Sequence, residues 1–125
     1  MQRILVIEDD QFLRKAAGAA LRRHGYVVLT AANGEAGLEV ARAEHPDLVL
    51  LDLIMPGMQG FEVLKLLKED QSTSSIPVII LSNLGQDVDV KNALQAGAAD
   101  YLIKANLALD TLVGRVKALF EAPAR

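Results

Sequence analysis

The chain has no cysteine. That excludes a disulfide framework, a thiol nucleophile and a thiolate-bound metal in one step. Histidine is nearly absent too: His24 and His45 are the two present, too few for most zinc sites. No window approaches the roughly 20 consecutive apolar residues of a membrane span. The first apolar run, Ile4-Leu5-Val6-Ile7, is preceded by one charge, Arg3, and followed at once by three acids. It is far too short for a signal peptide. Positive charge is also in deficit. Thirteen basic against sixteen acidic side chains leave a net charge of -3, the wrong sign for a chain that lives on nucleic-acid phosphates. These absences predict a cytoplasmic domain with no membrane contact and no direct nucleic-acid binding.

What remains is 125 residues, 51% of them hydrophobic. That is one domain with enough apolar material for a core. Five short apolar runs recur: Ile4–Ile7, Val27–Ala31, Leu48–Leu51, Val78–Leu81 and Tyr101–Ile103. Most lack polar alternation, the mark of strands buried on both faces of a parallel sheet. Between them, apolar residues fall at helical spacing. Leu13, Ala16, Ala17, Ala20 and Leu21 share a face, as do Gly37, Leu38, Val40 and Ala41. Phe61, Leu64 and Leu67 share another, then Val90, Ala93, Leu94 and Gly97, then Leu109, Leu112, Val113, Val116, Leu119 and Phe120. His24-Gly25 ends the first helix, Asn33 caps the second, Pro46 closes it, and Pro123 stops the last. The pattern is α/β, a (βα)5 doubly wound five-stranded parallel sheet.

Ligands of such sheets bind beyond the carboxyl ends of the strands. The first polar residues there are Glu8-Asp9-Asp10 after the first run, Asp52 after the third, Ser82 after the fourth and Lys104 after the fifth. The second run ends in Ala31-Ala32, as expected for an edge strand. Glu8, Asp9 and Asp52 would converge and repel one another, a conflict that a hard divalent cation such as Mg²⁺ resolves. Metal, carboxylate, hydroxyl and lysine together suit the handling of a phosphoryl group. Asp10 reads as the N-cap of the first helix. Gly57 and Gly60 read as turn and close-packing residues, and Met55 and Met58 as turn and core.

The runs Ile4-Leu5-Val6-Ile7-Glu8-Asp9-Asp10, Leu48 through Asp52-Leu53-Ile54-Met55-Pro56-Gly57-Met58-Gln59-Gly60, Pro77 through Ser82 and Asp100-Tyr101-Leu102-Ile103-Lys104 resemble the receiver domain of bacterial two-component response regulators. The resemblance implies the flavodoxin-like strand order 2-1-3-4-5, with residues 1–122 as a single receiver domain and 123–125 as a C-terminal tail. It implies that Asp52 accepts a phosphoryl group from a sensor histidine kinase or phosphotransfer protein. Mg²⁺ would be held by Asp9, Asp52, the backbone carbonyl of Ile54 and, through water, Glu8. Lys104 and Ser82 would hold the phosphate, and Ser82 and Tyr101 would switch a face made by the fourth helix, fifth strand and fifth helix. That face would meet a downstream protein target, a separate output domain or a second copy of the chain. Such a chain is a phosphoacceptor rather than an enzyme acting on others.

Two departures stand out. The family has proline after the lysine, joined by a cis peptide; here it is Ala105. A cis bond before a non-proline residue costs about 3 kcal/mol, so a trans bond and an adjusted loop are expected. The residues two beyond Asp52 and Ser82 are Ile54 and Leu84. Neither can orient water by hydrogen bonding, which predicts a long-lived phosphorylated state. Other functions fit less well. A Mg²⁺-dependent aspartyl-phosphate phosphohydrolase would want a second Asp at position 54 and a substrate cap. A flavin or nucleotide binder would want Gly, Ser or Thr where Glu8-Asp9-Asp10-Gln11 stands. A receiver-like scaffold that is not phosphorylated would not need Asp52, Ser82 and Lys104 together.

Overall fold

The computed structural model describes residues 1–84 and 86–121. The expected tail at 123–125, and the stop at Pro123, lie outside the described residues. The order is β1 (Arg3–Ile7), α1 (Gln11–Arg23), β2 (Val27–Ala31), α2 (Gly34–Glu44), β3 (Leu48–Leu51), α3 (Gly60–Glu69), β4 (Val78–Ser82), α4 (Asp87–Gln95), β5 (Asp100–Ile103), a 3-10 turn (Lys104–Asn106) and α5 (Leu109–Glu121). All strand pairs are parallel, in the flavodoxin-like order β2-β1-β3-β4-β5. The chemically empty second run is therefore an edge strand, as its Ala31-Ala32 ending suggested.

Successive strand residues point to opposite faces, and each face has its own core. Leu5, Ile7, Val49, Leu51, Val78 and Ile80 pack with Leu38, Ala41, Val63, Leu64, Leu67 and Ala93 of α2, α3 and α4. Ile4, Val6, Leu48, Leu50, Ile79, Leu81 and Leu102 pack with Ala17, Ala20, Leu21, Leu112, Val113 and Val116 of α1 and α5. Each fully buried Leu or Ile contributes about 1.5–3 kcal/mol relative to exposure.

The helix ends follow the sequence signals. Asp10 accepts from the backbone N–H groups of Phe12 and Leu13, and Asn33 from that of Ala36. Gly25 has φ +90°, and Gly97 has φ +109°. One expected face differs. Of Val90, Ala93, Leu94 and Gly97, only Ala93 is buried within α4, and Leu94 is 47% exposed. The stripe is real, but α4 lies beside the edge strand β5, and nothing among the described residues covers its flank. The Gln71–Ser75 stretch is a turn, as its polarity suggested. Thr73 within it is nevertheless fully buried, its hydroxyl donating to the Leu67 carbonyl at 2.7 Å. At the outer edge of the sheet, Arg115 of α5 holds the Asp100 carboxylate of β5 with two hydrogen bonds, at 2.6 and 2.8 Å.

Candidate phosphoryl and metal site

Strand register brings the acids together. Ile7 of β1 is opposite Leu51 of β3, so the next residues, Glu8 and Asp52, leave the sheet side by side. Asp52 N–H donates to the Ile7 carbonyl, and Glu8 N–H to the Ala31 carbonyl, both at 3.1 Å. Glu8 and Asp52 are buried and Asp9 is exposed, yet all three offer a carboxylate oxygen within 4.8 Å of the others. Asp10 stands apart as the cap of α1.

Lys104 reaches in from the end of β5. Its ammonium donates to Asp52 Oδ2 at 2.8 Å and lies 2.5 Å from Glu8 Oε1. The second contact is a close ion pair, and Lys104 is the partner of Glu8 Oε1. Asp52 Oδ1 accepts from Ile54 N–H at 3.1 Å, and Glu8 Oε2 from Asp10 N–H at 3.1 Å. Burial pushes the Glu8 carboxyl up to about 7, with the Asp52 charge adding to the effect and Lys104 and the Asp10 N–H opposing it. Burial also works against the Lys104 charge, but its hydrogen bonds and ion pairs with Asp52 and Glu8 outweigh this and hold the ammonium above its ordinary value.

These groups open into a cavity of about 260 Å³, lined by Glu8, Asp9, Asp10, Asp52, Ile54, Asn83 and Lys104. An all-oxygen donor set of mixed burial, with three carboxylates offering oxygens within 4.8 Å of one another, fits a hard cation such as Mg²⁺. Glu8, Asp9 and Asp52 are the residues that could hold it. The Lys104-Ala105 peptide is trans, and the adjusted loop is the 3-10 turn, closed by Leu107 N–H on the Lys104 carbonyl at 3.1 Å. Lys104 reaches Asp52 without the proline.

The switch pair sits to one side. Ser82 is fully buried, its oxygen accepting Leu84 N–H at 3.2 Å. Tyr101 is half-buried and its hydroxyl donates to the Leu84 carbonyl. Burial raises the Tyr101 phenol above its ordinary value, so it remains a donor. Both residues thus grip the same loop residue, Leu84. Two further residues belong to the site on weaker sequence signals. Arg14 donates to the carbonyl of Glu8 at 2.7 Å and of Asp9 at 3.4 Å, pinning the acidic turn; a cation one turn into α1 is a weak sequence signal. Asn83 lines the cavity, and the strand-end rule that selects Ser82 reaches it one residue later.

Comparison with known proteins bears on the family and the fold. Residues 4–117 match the family described as the response regulator receiver domain. The chain is 43% identical over 104 residues to Protein PilH of Pseudomonas aeruginosa, covering 83% of this chain and 86% of that protein. It is 42% identical over 104 residues to Transcriptional regulatory protein AfsQ1 of Streptomyces coelicolor, covering 83% of this chain but 45% of that protein. The chain therefore spans about half the length of several transcriptional regulators it matches. Among solved structures, the receiver domain of Francisella response regulator 1452 superposes with a TM-score of 0.90 at 28% identity, covering 97% of this chain and 98% of that one.

Proposed function

The chain belongs to the response regulator receiver family, and from that premise we propose that it is a phosphorylation-activated signalling receiver whose acceptor is Asp52. Receiver domains pair with histidine kinases and with output domains, and they bind Mg²⁺ at an acidic cluster. The observation that carries the reading is the convergence of Glu8, Asp9 and Asp52, with Lys104 already hydrogen-bonded to Asp52.

An Asp52 carboxylate oxygen attacks the phosphorus of a phosphohistidine, the bond from phosphorus to the imidazole nitrogen breaks, and the nitrogen keeps the electron pair. The product is an acyl phosphate on Asp52. Asp9, Asp52, the Ile54 carbonyl and, through water, Glu8 would hold Mg²⁺, which would supply charge neutralisation for the phosphoryl oxygens. Lys104 turns its ammonium from the carboxylates to those oxygens, and Ser82 donates its hydroxyl to one of them. That reorients the Leu84 loop which Ser82 and Tyr101 share, and the α4–β5–α5 surface shifts population toward its partner-binding state. The chain works in the cytoplasm. It transfers phosphoryl groups to itself alone and loses them slowly.

The test is incubation with acetyl phosphate and Mg²⁺, read by intact mass. A single phosphoryl adduct is expected, absent in Asp52→Asn and absent with a chelator. An adduct that survives both changes overturns the reading.

A further inference from the structure

Gly60 is the first residue of α3, and its N–H donates to the Leu53 carbonyl at 3.0 Å. A methyl group built there would lie inside van der Waals contact of the Asp52 carbonyl oxygen and the Leu53 Cα, and 2.9 Å from the Asp52 carbonyl carbon. All three are backbone atoms and cannot rotate aside. Gly34 is the instructive contrast: its added methyl would lie 2.7 Å from Val63 Cγ2, the far end of a side chain. So α3 abuts the peptide that carries Asp52 with nothing between them, and the hydrogen bond fixes the distance.

We propose that Gly60 is a positioning residue for Asp52. The absent side chain lets α3 abut the Asp52-Leu53 peptide, and this contact sets where the Asp52 carboxylate and the Ile54 carbonyl stand relative to Glu8 and Asp9. The inference rests on the Mg²⁺-dependent phosphoacceptor reading above. It adds a residue that touches neither metal nor phosphoryl group. The contact tolerates little error, since displacement of a reacting group by about 1 Å can cost on the order of 100-fold in rate.

The experiment compares Mg²⁺ affinity with stability in the intact chain. Isothermal titration gives Mg²⁺ binding, and thermal melts in chelator give stability, for wild type, Gly60→Ala and Leu67→Ala. Leu67 is a buried residue near the far end of the same helix, so its truncation destabilises the fold without pressing on Asp52. Gly60→Ala is expected to bind Mg²⁺ at least ~10-fold more weakly and to form the acetyl phosphate adduct more slowly at subsaturating Mg²⁺. Leu67→Ala is expected to keep wild-type affinity despite its lower melting temperature. Gly60→Ala with wild-type affinity, or Leu67→Ala with an equal loss, overturns the proposal. Should Gly60→Ala not fold, wild-type amide NMR decides: the Gly60 N–H should shift on Mg²⁺ addition with the same midpoint as Asp52, and a static Gly60 signal overturns the proposal. Wild type that binds no Mg²⁺ sinks the functional reading itself, and this inference falls with it.

Discussion

The two sides of the pocket are held differently. On the β1–β3 side, Glu8, Asp52, Leu53 and Met55 are all buried, and Arg14, Asp10 and Ile54 fix the turns around them by hydrogen bonds. On the β4–α4–β5 side, Leu84 and Tyr101 are half-buried, and Val88 and Leu94 stand 55% and 47% exposed. An open apolar hollow of about 450 Å³ lies along α4 between Val90 and Leu94. Under the proposed function, the first side would have little left to organise on phosphorylation. In the second, β4 is buried throughout, but α4 and the Leu84 loop have few buried contacts to lose, and such segments open at the least cost. On the function proposed above, acceptance and response would fall to differently packed parts of one sheet.

Truncation should expose the contrast most strongly. Leu64→Ala, in the buried face of α3, is expected to cost about 2–5 kcal/mol in chemical denaturation. Leu94→Ala on α4 should cost under ~0.5 kcal/mol. Equal losses would mean that α4 is packed as firmly as α3.

Acidity probes the buried carboxylate of the β1–β3 side. The folded state holds the Glu8 proton more tightly than the unfolded chain does, with an acidity near 7 against an ordinary 4.5. In chelator, stability from this group is therefore greatest below about pH 4.5 and falls as pH rises toward 7, by about 1–3 kcal/mol. Glu8→Gln should flatten that slope in pH-dependent melts, and so should excess Mg²⁺.

Chemistry at the mouth sharpens the comparison further. Ile54 lines the cavity and is 52% exposed. Ile54→Asn, which supplies an amide for an attacking water, should shorten the lifetime of the phosphorylated protein by roughly 10-fold in a chase of purified protein. An unchanged lifetime would mean that the apolar side chain is not what protects the acyl phosphate. The smallest effect belongs to α5. Gly114 has nothing within 4 Å of a built Cβ, so Gly114→Ala should raise stability by about 0.5–1 kcal/mol while leaving phosphorylation unchanged.

Much of the fold was legible because a parallel sheet writes itself as uninterrupted runs of Val, Ile and Leu. Two of the five expected runs, Val27–Ala31 and Leu48–Leu51, coincide with β2 and β3, and the other three differ from their strands by one residue at one end. Reading one residue past each run brought Glu8, Asp52, Ser82 and Lys104 to one end of the sheet, because parallel register aligns all those ends. Periodicity failed where it had to. It says which residues share a helical face but not whether anything covers that face, and Leu94 is the result. Polarity misled in the same way at Thr73, whose hydroxyl finds a carbonyl in the interior. Arg14 acts on backbone atoms, and no spacing rule marks such a contact; Gly60 was legible as a close-packing residue, but not the Asp52-Leu53 backbone it packs against.

The Asp100–Arg115 pair carries a consequence of another kind. A β-sheet edge is an open template for strand addition, and a short strand guarded by charge is a recognised way of closing it. β5 is four residues long, and its first carboxylate is clamped by a guanidinium from α5. Recruitment of a foreign strand to that edge would have to break this clamp first. The β5 margin of the sheet is thereby guarded against amyloid-like growth.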